Sequence, residues 1–235
     1  MFCPGIPQAG GFTITSIPGR RGPHDGSVDR KYVELAIQYS PRNAPAAYLW
    51  RSEAELLNTE LHIRVGGNFV WPPPGIAPES RKRVLFIAGG VGVNPLISIL
   101  AHINATGVPL DSVTLLYGTK SNTPDCSDVL FLPRIAKIAS GCSSSIKQMQ
   151  TRIFATKQDP TGDGPVASSE GQIPQIIPRR MSRDDIELAL GEDHALRQST
   201  VVYICGPQAM TDEFVETVQS FPGLKAENVL YEKWW

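Results

Sequence analysis

The sequence predicts an α/β protein: a parallel β-sheet with covering helices, preceded by a smaller antiparallel β-domain. Residues 84–88 (VLFIA) and 201–204 (VVYI) are unbroken apolar runs of strand length, which is typical of strands covered by helices on both faces. Each run leads into a glycine turn and then a helical pattern. Segments rich in β-forming residues at 10–18, 32–39 and 60–65 predict the antiparallel strands.

The remaining elements follow from apolar spacing and capping residues. They are a short helix at 43–50, a helix at 96–103, a strand at 113–118, a helix at 129–139, a strand at 152–156, a helix at 211–220 and a strand at 228–231. Ser182 and Asp185 predict a capping box for one further helix, which ends at Gly191. Residues 157–170 are polar and rich in glycine, proline and aspartate, which predicts a loop.

Length and composition limit the classes of function that this protein can have. The chain has 235 residues, 41% of them hydrophobic, which suits one large domain or two small ones. Its net charge of -1 argues against a nucleic-acid partner. No apolar run approaches the length of a membrane span. Four cysteines without C-x-x-C spacing and four scattered histidines predict no metal site and no disulfide framework, and favour a reducing compartment.

The first glycine turn has the layout of a phosphate cradle. Gly89, Gly90 and Gly92 follow the first apolar run, and Pro95 falls in the first turn of the next helix, where a missing N–H costs little. Glycines let a backbone approach a ligand, and the positive end of a helix dipole attracts an anion. The spacing is not G-x-G-x-x-G. A tight strand-to-helix turn of any α/β protein is the alternative.

The second glycine turn repeats this order of elements. Cys205, Gly206 and Pro207 end the second apolar run, and a helical pattern follows. Two parallel strands that end in glycine turns place a ligand crevice at their carboxyl ends.

Together, G-G-V-G-V-N-P at residues 89–95 and C-G-P-x-x-M at residues 205–210 resemble the motifs of the ferredoxin-NADP reductase superfamily, which includes cytochrome b5 reductases. The segments GGFTI at 10–14 and YEKWW at 231–235 extend the resemblance over nearly the whole chain. It implies an NAD(P)-binding α/β domain at residues 79–235, after a proline-rich linker. It also implies an NAD(P)H-dependent flavin oxidoreductase that moves hydride to FAD and electrons on to an unidentified acceptor.

The resemblance also implies which residues bind the dinucleotide, NAD or NADP. They are Gly89, Gly90, Val91, Gly92, Val93, Asn94, Pro95, Thr119, Lys120, Cys205, Gly206, Pro207 and Met210. Thr119 and Lys120 fall in the turn that meets the adenosine ribose, where an acidic residue would favour NAD. Asp125 comes a few residues later. Lys120 could accept a 2′-phosphate or lie in a solvated loop, so the choice between NADH and NADPH stays open.

Three further residues are candidates beside the reacting ring, each with a structural alternative. Cys205 could shape the nicotinamide pocket or simply be a small buried strand residue. Glu232 could order the C-terminal segment near the ring or be a surface charge. Met210 could border the cofactor or belong to the core of its helix. Cys205 and Glu232 are the two catalytic candidates, and the Cys205 thiol is not expected to attack a substrate covalently.

The flavin signature of the superfamily is altered in this chain. R-x-Y-S falls on residues 10–13, where the arginine is Gly10 and the tyrosine is Phe12. G-x-x-S falls on Asn43 to Ala46, so its glycine and serine are both replaced. The remaining flavin candidates are Phe12, Thr13, Ile14, Thr15 and the terminal Trp235. These losses place FAD binding in doubt and motivate an alternative function, a non-enzymatic dinucleotide-binding or regulatory module.

The first half, residues 1–78, is expected to be a partial flavin-type β-barrel. The superfamily's barrel has six strands, whereas only three or four are predicted before the linker. An incomplete barrel leaves an unpaired edge, so a truncated N-terminus is the favoured explanation. The first residues are neither a signal peptide nor an arginine-rich transit segment. The expected compartment is mitochondrial or cytoplasmic.

Overall fold

A computed structural model describes residues 1–17, 32–123, 125–157 and 174–234, with only the backbone of Trp234. Most of the predicted loop at 157–170 and the candidate Trp235 lie outside the described residues. The chain divides into two compact units, Met1–Asn68 and Phe69–Trp235.

The first unit contains two short helices, α1 (Ala44–Leu49) and α2 (Glu53–Leu56). Antiparallel pairing within its described residues is limited to two isolated bridges, Phe2 with His62 and Ile14 with Leu35. The predicted strands at 10–18 and 32–39 thus meet at one residue pair, the strand at 60–65 pairs only with Phe2, and no extended ladder forms where they are described. Short segments with so few partners do not make a stable sheet on their own. The predicted partial barrel is not confirmed.

The second unit is built on a six-stranded sheet whose neighbouring strands all run parallel, in the order β4-β3-β2-β1-β5-β6. The strands are β1 (Arg83–Gly89), β2 (Ser112–Ser121), β3 (Met149–Lys157), β4 (Gln175–Ile177), β5 (Thr200–Pro207) and β6 (Val229–Trp234). This architecture confirms the predicted α/β class and parallel sheet.

Five helices connect the strands. They are α3 (Val93–Thr106), α4 (Leu132–Ser140), α5 (Arg183–Leu190), α6 (His194–Gln198) and α7 (Gln208–Gln219). The capping box of Ser182 and Asp185 starts α5 as predicted, and Gly191 follows its end. Among the described residues, no helix combines the length and apolar character needed to cross a bilayer.

The central strands β1 and β5 are buried along nearly their whole length. Their alternate residues Leu85, Ile87, Val202 and Ile204 form one core cluster with apolar side chains of α5 and α7. Side chains alternate between the two faces of a strand, so these two helices cover one face of the sheet. The core therefore holds β1 and β5 rigidly side by side.

The second unit begins before the predicted linker. The rings of Phe69 and Trp71 lie 5.2 and 6.4 Å from the ring of the fully buried Tyr203. The Tyr203 hydroxyl also donates a hydrogen bond to the Val70 carbonyl, at 2.7 Å. These contacts attach residues 69–71 to β5, so the division falls at Asn68, earlier than the predicted boundary after residue 78.

Candidate functional site

The two predicted glycine turns leave the sheet side by side. Strands β1 and β5 are parallel neighbours, and Ala88 lies opposite Cys205 in their register. Each turn follows at once, Gly89 to Gly92 after β1 and Gly206 with Pro207 at the end of β5. Both motifs therefore meet at the carboxyl edge of the sheet.

Gly92 touches the backbone of the second turn. A Cβ atom on Gly92 would lie 2.7 Å from the Cα of Gly206 and still closer to the Cys205 carbonyl. Backbone atoms cannot rotate aside as a flexible side chain can. Glycine at position 92 is thus a requirement of this contact, independent of any ligand.

Met210 fills the space between the two turns. A Cβ on Gly89 would lie 2.8 Å from the Met210 methyl and 3.0 Å from Pro207 Cδ. A Cβ on Gly206 would lie 3.1 Å from Gly89 Cα and would also collide with Met210. Met210 is partly buried and packs against the core cluster. Its two predicted roles are therefore compatible, because it belongs to the core and borders the turns.

Gly90 holds the conformation that opens the first turn. Its φ is +53°, in the left-handed region that favours glycine, and nothing lies within 4 Å of where its Cβ would be. Residues Gly90–Gly92 form a 3₁₀ turn that leads directly into α3, whose first turn has no side-chain cap. The Val93 N–H bonds back to the Gly90 and Val91 carbonyls, so an anion at this end of α3 would be attracted by the helix dipole.

A second helix begins at the same edge. Helix α7 starts immediately after Pro207 and also has no side-chain cap. The fully buried Thr211 donates its hydroxyl to the Gly206 carbonyl at 3.2 Å, which fixes the orientation of that peptide. Sequence analysis missed Thr211, although hydroxyl residues that bond to nearby carbonyls are a known local pattern.

The two catalytic candidates are neighbours. In the parallel pairing of β5 with β6, Cys205 lies opposite Glu232. The thiol is fully buried, so it suits a pocket wall and not a nucleophile. Glu232 as a residue is exposed, yet partial desolvation raises the pKa of its carboxyl. Lys233 forms an ion pair at 2.5 Å with Asp212, which ties β6 to α7.

Thr119 and Lys120 lie in a strand and not in the predicted turn. Strand β2 continues through Ser121, with Thr119 opposite Ala155 and Lys120 opposite Thr156 of β3. The interpretation of these residues as a solvated loop is wrong, because β3 is long enough to pair with them. Lys120 is exposed at this end of β2.

The segment after β2 is organised by Asp128, which sequence analysis did not single out. Its carboxylate accepts hydrogen bonds from the Ser121 hydroxyl, the Asn122 N–H at 2.7 Å and the Thr123 hydroxyl at 3.0 Å. Partial burial acts to raise the pKa of Asp128, but these hydrogen bonds lower it on balance. Asp125, the acid considered for the ribose, accepts bonds from Ser127 in its own loop.

The flavin candidates of the first unit contact other residues of the same unit. Ile14 pairs with Leu35, and the buried Thr15 donates to a carboxylate oxygen of Glu34 at 2.6 Å. The Phe12 ring lies against Gly10. Thr13 is partly exposed.

The part of the chain that the structure describes contains no cluster of typical metal ligands. No group of three or more histidine, cysteine, aspartate or glutamate side chains there is placed to hold an ion. Cys3, Cys126, Cys142 and Cys205 form no disulfide.

The fold and the paired glycine turns define a class: an NAD-binding oxidoreductase domain. The family model described as the oxidoreductase NAD-binding domain matches residues 86–216. The chain belongs to this family, and its relatives include proteins named oxidoreductase NAD-binding domain-containing protein 1. It is 32% identical over 249 residues to the one from Pongo abelii and 31% identical over 249 residues to the human one. Each alignment covers 100% of this chain and 68% of the relative.

A solved structure supports the same fold. The CS-b5R domains of human Ncb5or, in an NAD+ form, superpose with a TM-score of 0.57 at 16% identity. The match covers 94% of this chain and 54% of that chain. The predicted relation to oxidoreductase NAD-binding domain proteins is confirmed by the family model and the relatives.

Proposed function

We propose that the second unit binds a nicotinamide dinucleotide and that the protein is an NAD(P)H-dependent oxidoreductase. The observation that carries the proposal is the contact between Gly92 and Gly206, which joins the two strand ends into one edge. In this proposal the turn at Gly89–Pro95 holds the pyrophosphate, and Cys205, Gly206 and Pro207 border the nicotinamide.

Electrostatics support the placement of the pyrophosphate. Helices α3 and α7 both begin at this edge without a side-chain cap, so their N–H groups and dipoles favour an anion there. Gly90 leaves open space on the first turn. The diphosphate is the anionic part of a dinucleotide, so it is the group that we expect these helix starts to bind.

Hydride transfer depends on the placement of the two reactants more than on acid or base groups of the protein. A reduced nicotinamide carries its own hydride, and the protein positions the ring and excludes water. The donor carbon and the accepting atom must approach to about 3–3.5 Å. The buried Cys205 would form one wall for the ring, and Glu232 beside it would act through its charge and not as a nucleophile.

A second candidate function is a dinucleotide-binding or regulatory module without catalysis. It is favoured by the first unit, where Gly10, Asn43 and Ala46 replace the residues that the resemblance associates with flavin phosphate. Both candidates predict dinucleotide binding. They differ in whether hydride leaves the nicotinamide.

Calorimetric titration with NADH and NADPH, followed by NADH oxidation assays, tests both candidates. We expect binding by the wild-type protein, and an affinity at least about tenfold weaker in Gly92→Ala. Gly66→Ala is the matched control, because a Cβ at Gly66 would meet nothing within 4 Å. Failure of both dinucleotides to bind would end the proposal. Binding without oxidation by any acceptor would favour the regulatory module.

A further inference from the structure

We propose that the first unit holds no resident FAD, and that the hydride leaves the nicotinamide for an exchangeable two-electron acceptor. The acceptor would be free flavin or a quinone. This inference rests on the proposed function, because it concerns where the hydride goes. It comes from three features of the first unit, each at a position where the superfamily resemblance implies a flavin contact.

Position 10, where the resemblance implies an arginine for the flavin phosphate, has no room for a side chain. Gly10 is buried, and a Cβ there would lie 2.7 Å from Pro45 Cβ and 2.9 Å from Cζ of Phe12. The Gly10 N–H already donates to the Met1 carbonyl at 2.8 Å. A phosphate-binding side chain cannot start from this position without displacing Phe12 and Pro45. The Phe12 ring is thus packed against Gly10.

At the second phosphate position, Asn43 to Ala46, a side chain of the protein already binds the backbone donor. The Asn43 side-chain oxygen accepts the N–H of Ala46 at 3.2 Å, which satisfies a donor that a phosphate would use. Ala46 is buried and brings no hydroxyl. Helix α1 has only six residues, so its dipole adds little attraction for an anion.

Glu34 engages two hydroxyl groups of the candidate strand, one with its carboxylate and one with its backbone N–H. Thr15 donates to Glu34 Oε1 at 2.6 Å and to the Glu34 carbonyl at 3.1 Å, and the Ser16 hydroxyl accepts the Glu34 N–H at 3.2 Å. Thr15 and Ser16 are both buried. The hydroxyl groups of Thr15 and Ser16 are therefore already engaged within the unit. The residues present at these flavin positions therefore do not fit the cofactor.

The acceptor must then take both electrons together. The C4–H bond of the dihydronicotinamide breaks with its electron pair, and a new bond to hydrogen forms on the acceptor. A proton from water completes the reduction, so NADH, H+ and an oxidised flavin or quinone give NAD+ and the two-electron-reduced acceptor. Without a resident flavin to separate the pair, a one-electron oxidant such as ferricyanide has no route to it.

Flavin content and acceptor choice test the inference on the full chain. The purified protein is incubated with excess FAD, desalted and denatured, and the released flavin is counted per chain. NADH oxidation is then followed with ferricyanide alone, with added FMN and with menadione. Wild type, Gly92→Ala and Gly66→Ala are compared with a protein-free blank.

We expect negligible retained FAD and little ferricyanide reduction without flavin. FMN or menadione should increase wild-type and Gly66→Ala rates at least about tenfold over the blank, and Gly92→Ala should lose this increase. The acceptor that saturates identifies which of the two classes is used. Stoichiometric retained FAD, or rapid ferricyanide reduction without added flavin, would overturn the inference and leave the oxidoreductase proposal intact. Tight NADH binding with no turnover by any acceptor would overturn the oxidoreductase proposal, and the exchangeable acceptor with it.

Discussion

Gly92 and Gly206 are in backbone contact: a methyl group on Gly92 would lie 2.7 Å from the Gly206 Cα. The two residues are far apart in sequence but belong to turns at the ends of the neighbouring strands β1 and β5. One glycine therefore determines how closely the two halves of the candidate dinucleotide site approach.

The first prediction concerns this contact. Gly92→Ala should destabilise the protein by about 1–3 kcal/mol, because the added methyl overlaps backbone atoms that cannot rotate away. Urea unfolding of the variant beside Gly66→Ala measures the effect. If Gly92→Ala unfolds at the same urea concentration as Gly66→Ala, the two turns do not pack as described.

The second prediction concerns Met210, whose side chain lies against both Gly89 and Gly206. Met210→Ala should cost about 2 kcal/mol, at the low end for a truncated methionine because the residue is only partly buried. The cavity should also loosen both turns and weaken NADH binding. Met210→Leu keeps most of the volume and should cost less than about 1.5 kcal/mol. Urea unfolding and calorimetry on both variants test this, and equal effects of alanine and leucine would contradict it.

The sequence allowed prediction of the features that arise locally or from continuous apolar runs. Residues 84–88 and 201–204 have no polar alternation because both faces of these strands are buried, and this alone indicates buried parallel strands. Ser182 and Asp185 lie three residues apart, so their capping box is visible in the sequence. The two glycine turns were recognisable from their spacing.

Features that depend on distant partners were not predictable in this way. Thr119 to Ser121 continue β2 because β3 supplies partners for them. The second unit starts at Phe69 because Tyr203, more than a hundred residues later, packs against Phe69 and Trp71. Asp128 is an ordinary aspartate in the sequence, and its importance comes from three donors that only the folded loop brings together.

The third prediction is a pH dependence at Asp185. Arg179 bonds both carboxylate oxygens, at 2.6 and 2.8 Å, and the Ser182 N–H donates to one of them at 2.8 Å. Burial acts to raise the pKa of Asp185, but these bonds lower it overall. Because the folded-state pKa is below the unfolded value, the stabilisation is complete above about pH 4 and is lost as the pH falls through the folded-state pKa.

Replacing this carboxylate should remove that dependence. Asp185→Asn should cost about 1.5–3 kcal/mol at neutral pH and flatten the acid limb of the stability curve. Asp184→Asn removes the same charge from an exposed neighbour in the first turn of α5 and is the control. Urea unfolding across the acidic range measures both. An unchanged acid limb in Asp185→Asn would refute the assignment.

The fourth prediction concerns the attachment of residues 69–71. Burial raises the pKa of the Tyr203 hydroxyl, so it remains a donor to the Val70 carbonyl at neutral pH. Tyr203→Phe should cost about 0.5–1.5 kcal/mol. The exposed Tyr231→Phe serves as the control in thermal unfolding. Equal midpoints for the two variants would show that this hydrogen bond does not hold the segment.

A crystal structure of the protein soaked with NAD+ tests the central claim most directly. The claim predicts the pyrophosphate within hydrogen-bond distance of backbone N–H groups of the Gly90–Gly92 turn, with the nicotinamide beside Cys205 and Gly206. A dinucleotide bound elsewhere, with the Gly90–Gly92 turn free of ligand, would contradict it.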